Sequence, residues 1–159
     1  MSETTLKPGV VTGDGYKTLV EAAKQGGYAL PAVNVVGTNS MNAVMEAAAK
    51  ANSDIIIQLS NSGGAFLAGA GMSHRIKAKL LGSVAAAQLA LLLAEHYGVW
   101  VVMHTDLANR SLIPWFEALL DVGEKFYEML GKPLFSSHML DLSADPIVFN
   151  LSESARILE

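Results

Sequence analysis

The run Asp54-Ile55-Ile56-Ile57-Gln58-Leu59 decides the fold. It is short, almost continuously apolar and rich in β-branched residues, which is the pattern of a strand buried on both faces. A second run of this kind, 99–104, follows a long helical pattern, 76–97, that ends at Gly98. Buried strands joined by a helix are typical of a parallel sheet with right-handed crossovers. The middle of the chain therefore predicts a strand–helix–strand unit.

The same alternation extends in both directions from this unit. The stretch 60–71 is rich in Gly and Ser and is predicted to be a loop. Asp145 is placed to cap a last helix that begins at Pro146. Further strands are predicted at 28–36 and 134–139, and further helices at 17–24, 41–51 and 112–130. The predicted fold class is α/β, a parallel (βα)4 arrangement with an N-terminal helix, in one domain spanning residues 1–159.

Composition excludes several classes of partner. The chain is 51% hydrophobic and 16% charged, with a net charge of −4, and it has no basic run, so nucleic-acid binding is not expected. It has no cysteine, which excludes disulfides and thiolate metal sites. The apolar run 80–94 is shorter than the roughly 18 residues of a membrane span. Residues 1–8 lack the apolar core of a signal peptide, so no targeting signal is read and a cytoplasmic location is the default expectation.

Several stretches resemble one enzyme family, the class II (zinc-dependent) fructose-bisphosphate aldolases. They occur in the family's order over nearly the whole chain, although the segment 72–79 departs from the family pattern. The stretches are Lys7 to Asp14, Ala29 to Asn34, Gln58 to Asn61, Ala94 to Val99, His104 to Asp106 and, most extensively, Gly131 to Ser143. The resemblance implies an eight-stranded TIM barrel, which typically needs about 250 residues. This chain is therefore expected to form the N-terminal half of such a barrel.

The family resemblance also implies an activity and a set of site residues. It implies cleavage of fructose 1,6-bisphosphate into dihydroxyacetone phosphate and glyceraldehyde 3-phosphate, with zinc held by three histidines. Asp106 matches the catalytic aspartate that moves protons, Asn34 and Ser60 match substrate-contacting positions, and Asp141 matches a second cation position. Each also has a simpler interpretation as a residue that caps a strand end or forms a turn. His104 and His138 lie near strand ends and could approach each other, although local hydrogen bonding is the simpler expectation.

Leu107 argues against the zinc site that the resemblance implies. It stands where the family has a zinc histidine, and leucine has no lone pair to donate. We therefore expect no zinc site or other cofactor, and we expect the site residues to be vestigial. The leading hypothesis is a non-catalytic half-barrel, a pseudoenzyme with a structural role as a homo-oligomer or a subunit of a larger complex. The alternative is a component of a class II aldolase that needs a complementary second half. A phosphate-binding, flavodoxin-like module is a third hypothesis.

Overall fold

The computed structural model describes residues 7–159, so the opening stretch 1–6 lies outside the described residues. The structure alternates strands and helices as the sequence predicts. The elements are β1 Gly9–Val10, α1 Asp14–Gly26, β2 Ala32–Asn34, α2 Thr38–Ala51, β3 Ile55–Ser60, α3 Asn61–Ala68, α4 Arg75–Tyr97, β4 Trp100–Ala108, a 3-10 turn Arg110–Leu112, α5 Ile113–Leu130, β5 Ser137–Leu140 and α6 Ile147–Leu158.

The strands form one parallel sheet. Its order is β2-β3-β4-β5, which confirms the predicted class, and β1 also pairs with β4. Because β3 occupies one edge of β4 from Val101 to Asp106, β1 and β5 share the opposite edge. Ser136 joins them: its hydroxyl donates to the Val11 carbonyl at 2.6 Å and accepts from the Met103 amide at 2.9 Å. The sequence analysis missed β1 because two residues are too few to show a pattern.

The two faces of the sheet are covered differently. The residues of β3 and β4 at odd positions pack under α2, α4 and α5 in the main core, together with Met45, Trp115 and Leu119. The residues at even positions, such as Ile56 and Val102, point to the other face, where Leu19 of α1 packs against Val102. In a barrel this second face is the interior. Helix α1 therefore covers part of the interior face.

The predicted loop at 60–71 is wrong, because most of it forms α3. The Ser60 hydroxyl caps this helix by accepting a hydrogen bond from the Gly63 amide at 3.1 Å. Gly63 and Gly64 are buried, and a Cβ added to Gly82 of α4 would lie 1.8 Å from the Gly64 carbonyl oxygen. Glycine is unfavourable in an isolated helix, but here it allows two backbones to touch. Tertiary packing therefore overrides the local preference.

Helix α4 is the longest element, with 23 residues. By length and composition it could cross a bilayer, with a mean hydropathy of 1.6 over 18 residues. It lies against α2, α3, α5 and the sheet, as a core helix of a barrel does, so it gives no clear membrane span. Its buried residues are small, whereas its leucines lie at partly buried positions and Leu92 is 69% exposed.

The start of α6 differs from the prediction. Asp145 does not cap the helix. Its carboxylate instead accepts a hydrogen bond from Nη1 of Arg110 at 3.2 Å. Pro146 precedes the first turn, and its carbonyl accepts the Asn150 amide. The ion pair with Arg110 therefore attaches the beginning of α6 to the turn that follows β4.

Candidate functional site

The carboxyl ends of the parallel strands meet at one end of the sheet. Asn34 closes β2, Ser60 closes β3, and Asp106 lies near the end of β4. Ser60 and Asp106 are register partners in neighbouring strands. In a parallel barrel this end carries the reacting groups, since loops from several strands converge there. The fold therefore brings three of the predicted site residues to one place.

Asn34 and Asp106 are in direct contact. Nδ2 of Asn34 donates a hydrogen bond to Oδ2 of Asp106 at 2.8 Å, although the residues are 72 positions apart and β3 lies between their strands. An amide donor stabilises an ionised carboxylate and fixes its rotamer. The contact therefore orients the carboxylate on the interior side of the sheet.

Ser60 is engaged in local structure. Besides capping α3, its hydroxyl lies 3.0 Å from the Ser62 hydroxyl. The stretch from Ser60 to Gly64 lies within the predicted loop and forms the first turn of α3. One of its amides already has a partner, the Ser60 hydroxyl. Ser60 is thus placed at the site with its hydroxyl already hydrogen-bonded.

Leu107 has an unusual backbone conformation for its residue type. Its φ is +49°, in the left-handed region that L-residues other than Gly, Asn and Asp seldom adopt, and its side chain is 49% exposed. Such a conformation costs about 1–3 kcal/mol and is concentrated at functional sites. Leu107 lies within the register shift between Thr105 and Ala108, where β4 pairs with β5, and this irregularity accounts for the conformation. The strand end therefore keeps a strained geometry beside Asp106.

His104 lies on the interior face two residues before Asp106. Its Nδ1 is 2.8 Å from the Ser137 hydroxyl of β5. Burial lowers the pKa of His104, while the nearby Asp106 carboxylate and a hydrogen bond with Ser137 act in the opposite direction. The imidazole is therefore a neutral group near neutral pH, held in place beside the candidate carboxylate.

His138 faces the opposite side of the sheet. Its Nδ1 is 2.8 Å from the Thr105 hydroxyl, and its ring packs against Phe116 and Phe135. Burial, and to a lesser extent His104, lowers the pKa of His138 to about 4. The two histidines are close in space, but each is hydrogen-bonded to a hydroxyl of the neighbouring strand. The expectation of local hydrogen bonding is confirmed.

Asp141 lies in the turn that follows β5. Its carboxylate accepts the Ser143 hydroxyl at 2.6 Å and the Ser143 amide at 3.2 Å, and these bonds lower its pKa. Its own amide donates to the Ala108 carbonyl at 2.8 Å, which ties the turn to the end of β4. The carboxylate is therefore ionised and close to the strand ends, as a cation ligand must be.

The donor set of residues 7–159 does not fit the zinc site that the family implies. Within this part of the chain no three His, Asp or Glu side chains are grouped as a metal ion requires. Leu107, at the position of the family's histidine, has no donor atom. Among the described residues, those that sequence reasoning missed are Ser137 and Thr105. If the register of β4 and β5 had been known, the alternation of side chains between the two faces would have paired Ser137 with His104 and Thr105 with His138.

Known proteins match nearly the whole length of this chain. A family model described as fructose-bisphosphate aldolase class-II matches residues 14–159. A fructose-bisphosphate aldolase of Borreliella burgdorferi is 51% identical over 156 residues, which are 97% of this chain and 44% of that protein. The fructose-bisphosphate aldolase class 2 of Escherichia coli is 47% identical over 97% of this chain and 44% of that protein. A crystal structure of the Campylobacter jejuni aldolase matches with a TM-score of 0.89 and 46% identity, over 94% of this chain and 43% of that one. The chain therefore spans somewhat less than half the length of these relatives.

Proposed function

This chain belongs to the class II fructose-bisphosphate aldolase family, and on that premise we propose that it is a component of such an aldolase. A complementary half would complete the barrel, and the assembled enzyme would cleave fructose 1,6-bisphosphate. The complement corresponds to the part of the matched relatives that this chain does not cover.

The expectation of a non-catalytic, structural half-barrel is wrong. It rested on Leu107 and on the number of strands, but the relatives that match nearly the whole chain are named as fructose-bisphosphate aldolases. The interpretations as a pseudoenzyme and as a non-enzyme are corrected by the same matches. What remains from the sequence analysis is the alternative of an enzyme component.

The observation that supports this function best is the hydrogen bond between Asn34 and Asp106. It joins two polar side chains at the ends of two strands that are not neighbours. A capping role would need no such partner, because an Asp that caps a strand end bonds to nearby amides. A carboxylate held by an amide on the interior face is instead suited to exchanging protons with a bound molecule.

We assign the proton exchange of aldol cleavage to Asp106. Cleavage breaks a carbon–carbon bond, removes the proton of a hydroxyl group and leaves a carbanion that must be protonated. Since the Asn34 amide engages Oδ2, Oδ1 of Asp106 is the atom assigned to proton transfer. We assign substrate contact to Asn34 and Ser60, and a second cation position to Asp141. No zinc ligand is assigned to this chain, because Leu107 has no donor atom.

The complement that fits this function is the remaining part of an aldolase barrel rather than a second copy of these residues. A homo-oligomer of two half-barrels would close a barrel with two-fold symmetry, but it would duplicate Asp106 and supply none of the remaining part of the relatives. A complementary half supplies that part. Of the two expected partners, a homo-oligomer and a larger protein complex, the proposal therefore keeps the second, as an assembly of this half-barrel with its complementary half.

The test is a fusion of this chain to the unmatched part of the Borreliella burgdorferi relative. Cleavage of fructose 1,6-bisphosphate is measured in a coupled assay with added zinc, and the lone chain is assayed in parallel. Asp106→Asn is expected to lower kcat by roughly 10²–10⁴, the usual contribution of a positioned acid–base group. Asp121→Asn, an exposed carboxylate on α5, is the matched control and should leave kcat unchanged. A folded fusion without turnover contradicts the proposal.

A further inference from the structure

A cleft of about 390 Å³ lies at the amino end of the sheet, between the ends of α2 and α4 and the starts of β3 and β4. Asn52, Ser53 and Asp54 line it from the first helix–strand turn, and residues 97–99 line it from the second. Its volume is within the range of small-molecule sites. Asp106 lies near the other end of β4, roughly 20 Å from the first residue of that strand at about 3.3 Å per residue. The cleft is therefore separate from the candidate site described above.

Two helices end at this cleft, and each brings the negative end of its dipole. The amides of residues 52–53 close α2, and those of residues 98–99 close α4, by hydrogen bonds of 3.0–3.3 Å to carbonyls three or five residues earlier. These caps leave the last two carbonyls of each helix without an amide partner from the helix or its cap. The end of each helix is therefore equivalent to about half a negative charge.

Asp54 adds a full negative charge to the same cleft. Burial raises the pKa of its carboxyl group, and within residues 7–159 Asp54 takes part in none of the ion pairs. None of the described residues that line the cleft is a Lys, an Arg or a His. Lys50, in the last turn of α2, pairs with Glu46 at 4.0 Å instead. The cleft therefore combines a carboxylate and two helix ends with no positive charge in its lining.

We propose that this cleft binds a small organic diammonium ion. The carboxylate and the two helix ends together amount to about two negative charges, which two ammonium groups on one molecule would neutralise. A metal ion fits less well, because no three His, Asp or Glu side chains are grouped for coordination in residues 7–159. Phosphates and carboxylates carry the same sign of charge as the cleft and are disfavoured. This inference does not depend on the proposed function.

The test is a titration of the ¹⁵N-labelled chain with 1,4-butanediammonium at neutral pH, followed through its amide NMR signals. We expect saturating shifts at residues 52–54 and 97–100, which surround the cleft. 1,4-Butanediol has the same length without the charges and should bind at least about tenfold more weakly. Asp54→Asn keeps the size of the side chain and removes its charge, so it should weaken diammonium binding by about tenfold or more. Asp121→Asn, at an exposed position of α5, is the matched control and should leave the binding unchanged.

The other outcomes overturn the inference. Equal binding of the diol and the diammonium ion shows that charge does not select the ligand, and this comparison needs no variant, so it decides even if Asp54→Asn does not fold. Unchanged diammonium binding by a folded Asp54→Asn chain removes the carboxylate from the site. Shifts confined to exposed carboxylates elsewhere show that the cation binds surface charge only. Binding that appears only after residues 1–6 are removed identifies the chain's own first residues as the occupant.

Discussion

Lowering the pH from about 7 to about 4 is expected to destabilise this chain through His138. The imidazole is largely buried between Phe116 and Phe135 and is hydrogen-bonded to the Thr105 hydroxyl, which is itself fully buried. Protonation would place a positive charge in this apolar site, close to His104. The contact also fixes β5 beside β4, so its loss disturbs the strand end that carries Asp106.

The magnitude follows from the difference between two pKa values. The pKa of His138 falls from an ordinary 6.5 to about 4 on folding. Each unit of difference corresponds to about 1.4 kcal/mol, so the total is about 3 kcal/mol. Because the folded pKa is the lower one, the unfolded chain binds the proton first. The stability is present above pH 6.5 and is lost as the pH falls through the window from 6.5 to 4.

The assay is urea unfolding at a series of pH values across this window, for the natural chain and for His138→Gln. Glutamine can keep a hydrogen bond to Thr105 but does not titrate, so the variant should lose the pH-dependent fall of about 3 kcal/mol. His96→Gln, at an exposed position of α4, is the matched control and should keep it. Burial also lowers the pKa of His104, so its own contribution stays in both proteins, and the lowered pKa values of Asp141 and Glu153 place their loss of stability at lower pH. If His138→Gln retains the full slope, the burial argument is wrong.

Two further predictions concern packing and metal binding. Gly82→Ala should destabilise the chain by about 3 kcal/mol or more, since its Cβ would lie 1.8 Å from the Gly64 carbonyl oxygen. Gly123→Ala, a helical position with no atom within 4 Å of the added Cβ, should instead stabilise it by about 0.5–1 kcal/mol in the same unfolding experiment. In the fusion, Leu107→His should increase the zinc that is retained after dialysis and should raise kcat, because imidazole supplies a donor that leucine lacks. Equal zinc content in the two fusions would contradict this assignment.

The fold could be predicted where burial alone determines the pattern. The runs of β3 and β4 are apolar because one face of these strands is buried and the other is partly covered, and that made them recognisable. Helix α3 could not be predicted in this way. Its glycines are required by the close approach to Gly82 in α4, which is a contact between segments that no local pattern reveals.

The site was predictable in position but not in its contacts. A parallel sheet places the ends of its strands together, so Asn34, Ser60 and Asp106 could be expected at one end. The bond between Asn34 and Asp106 depends on the register of three strands, and the pairing of His104 with Ser137 depends on the register of β4 and β5. A shift of one residue in the register would move every side chain of the strand to the other face of the sheet. The sequence does not determine the register of strands joined by long crossovers.

Leu107 shows why one substitution is a poor guide to function in a barrel. The reacting groups of such an enzyme come from the ends of several strands, so the loss of one donor leaves the others in place. Here the carboxylate of Asp106 is hydrogen-bonded to the Asn34 amide, and residue 107 has a left-handed conformation within the register shift between β4 and β5. An extended conformation at residue 107 would change the register shift after which the fully buried Ala108 pairs with Leu140 of β5, so this conformation also serves the packing of the strand end. The register shift and the hydrogen bond therefore fix the position of the Asp106 carboxylate without a donor atom at position 107, which is compatible with the proposed function.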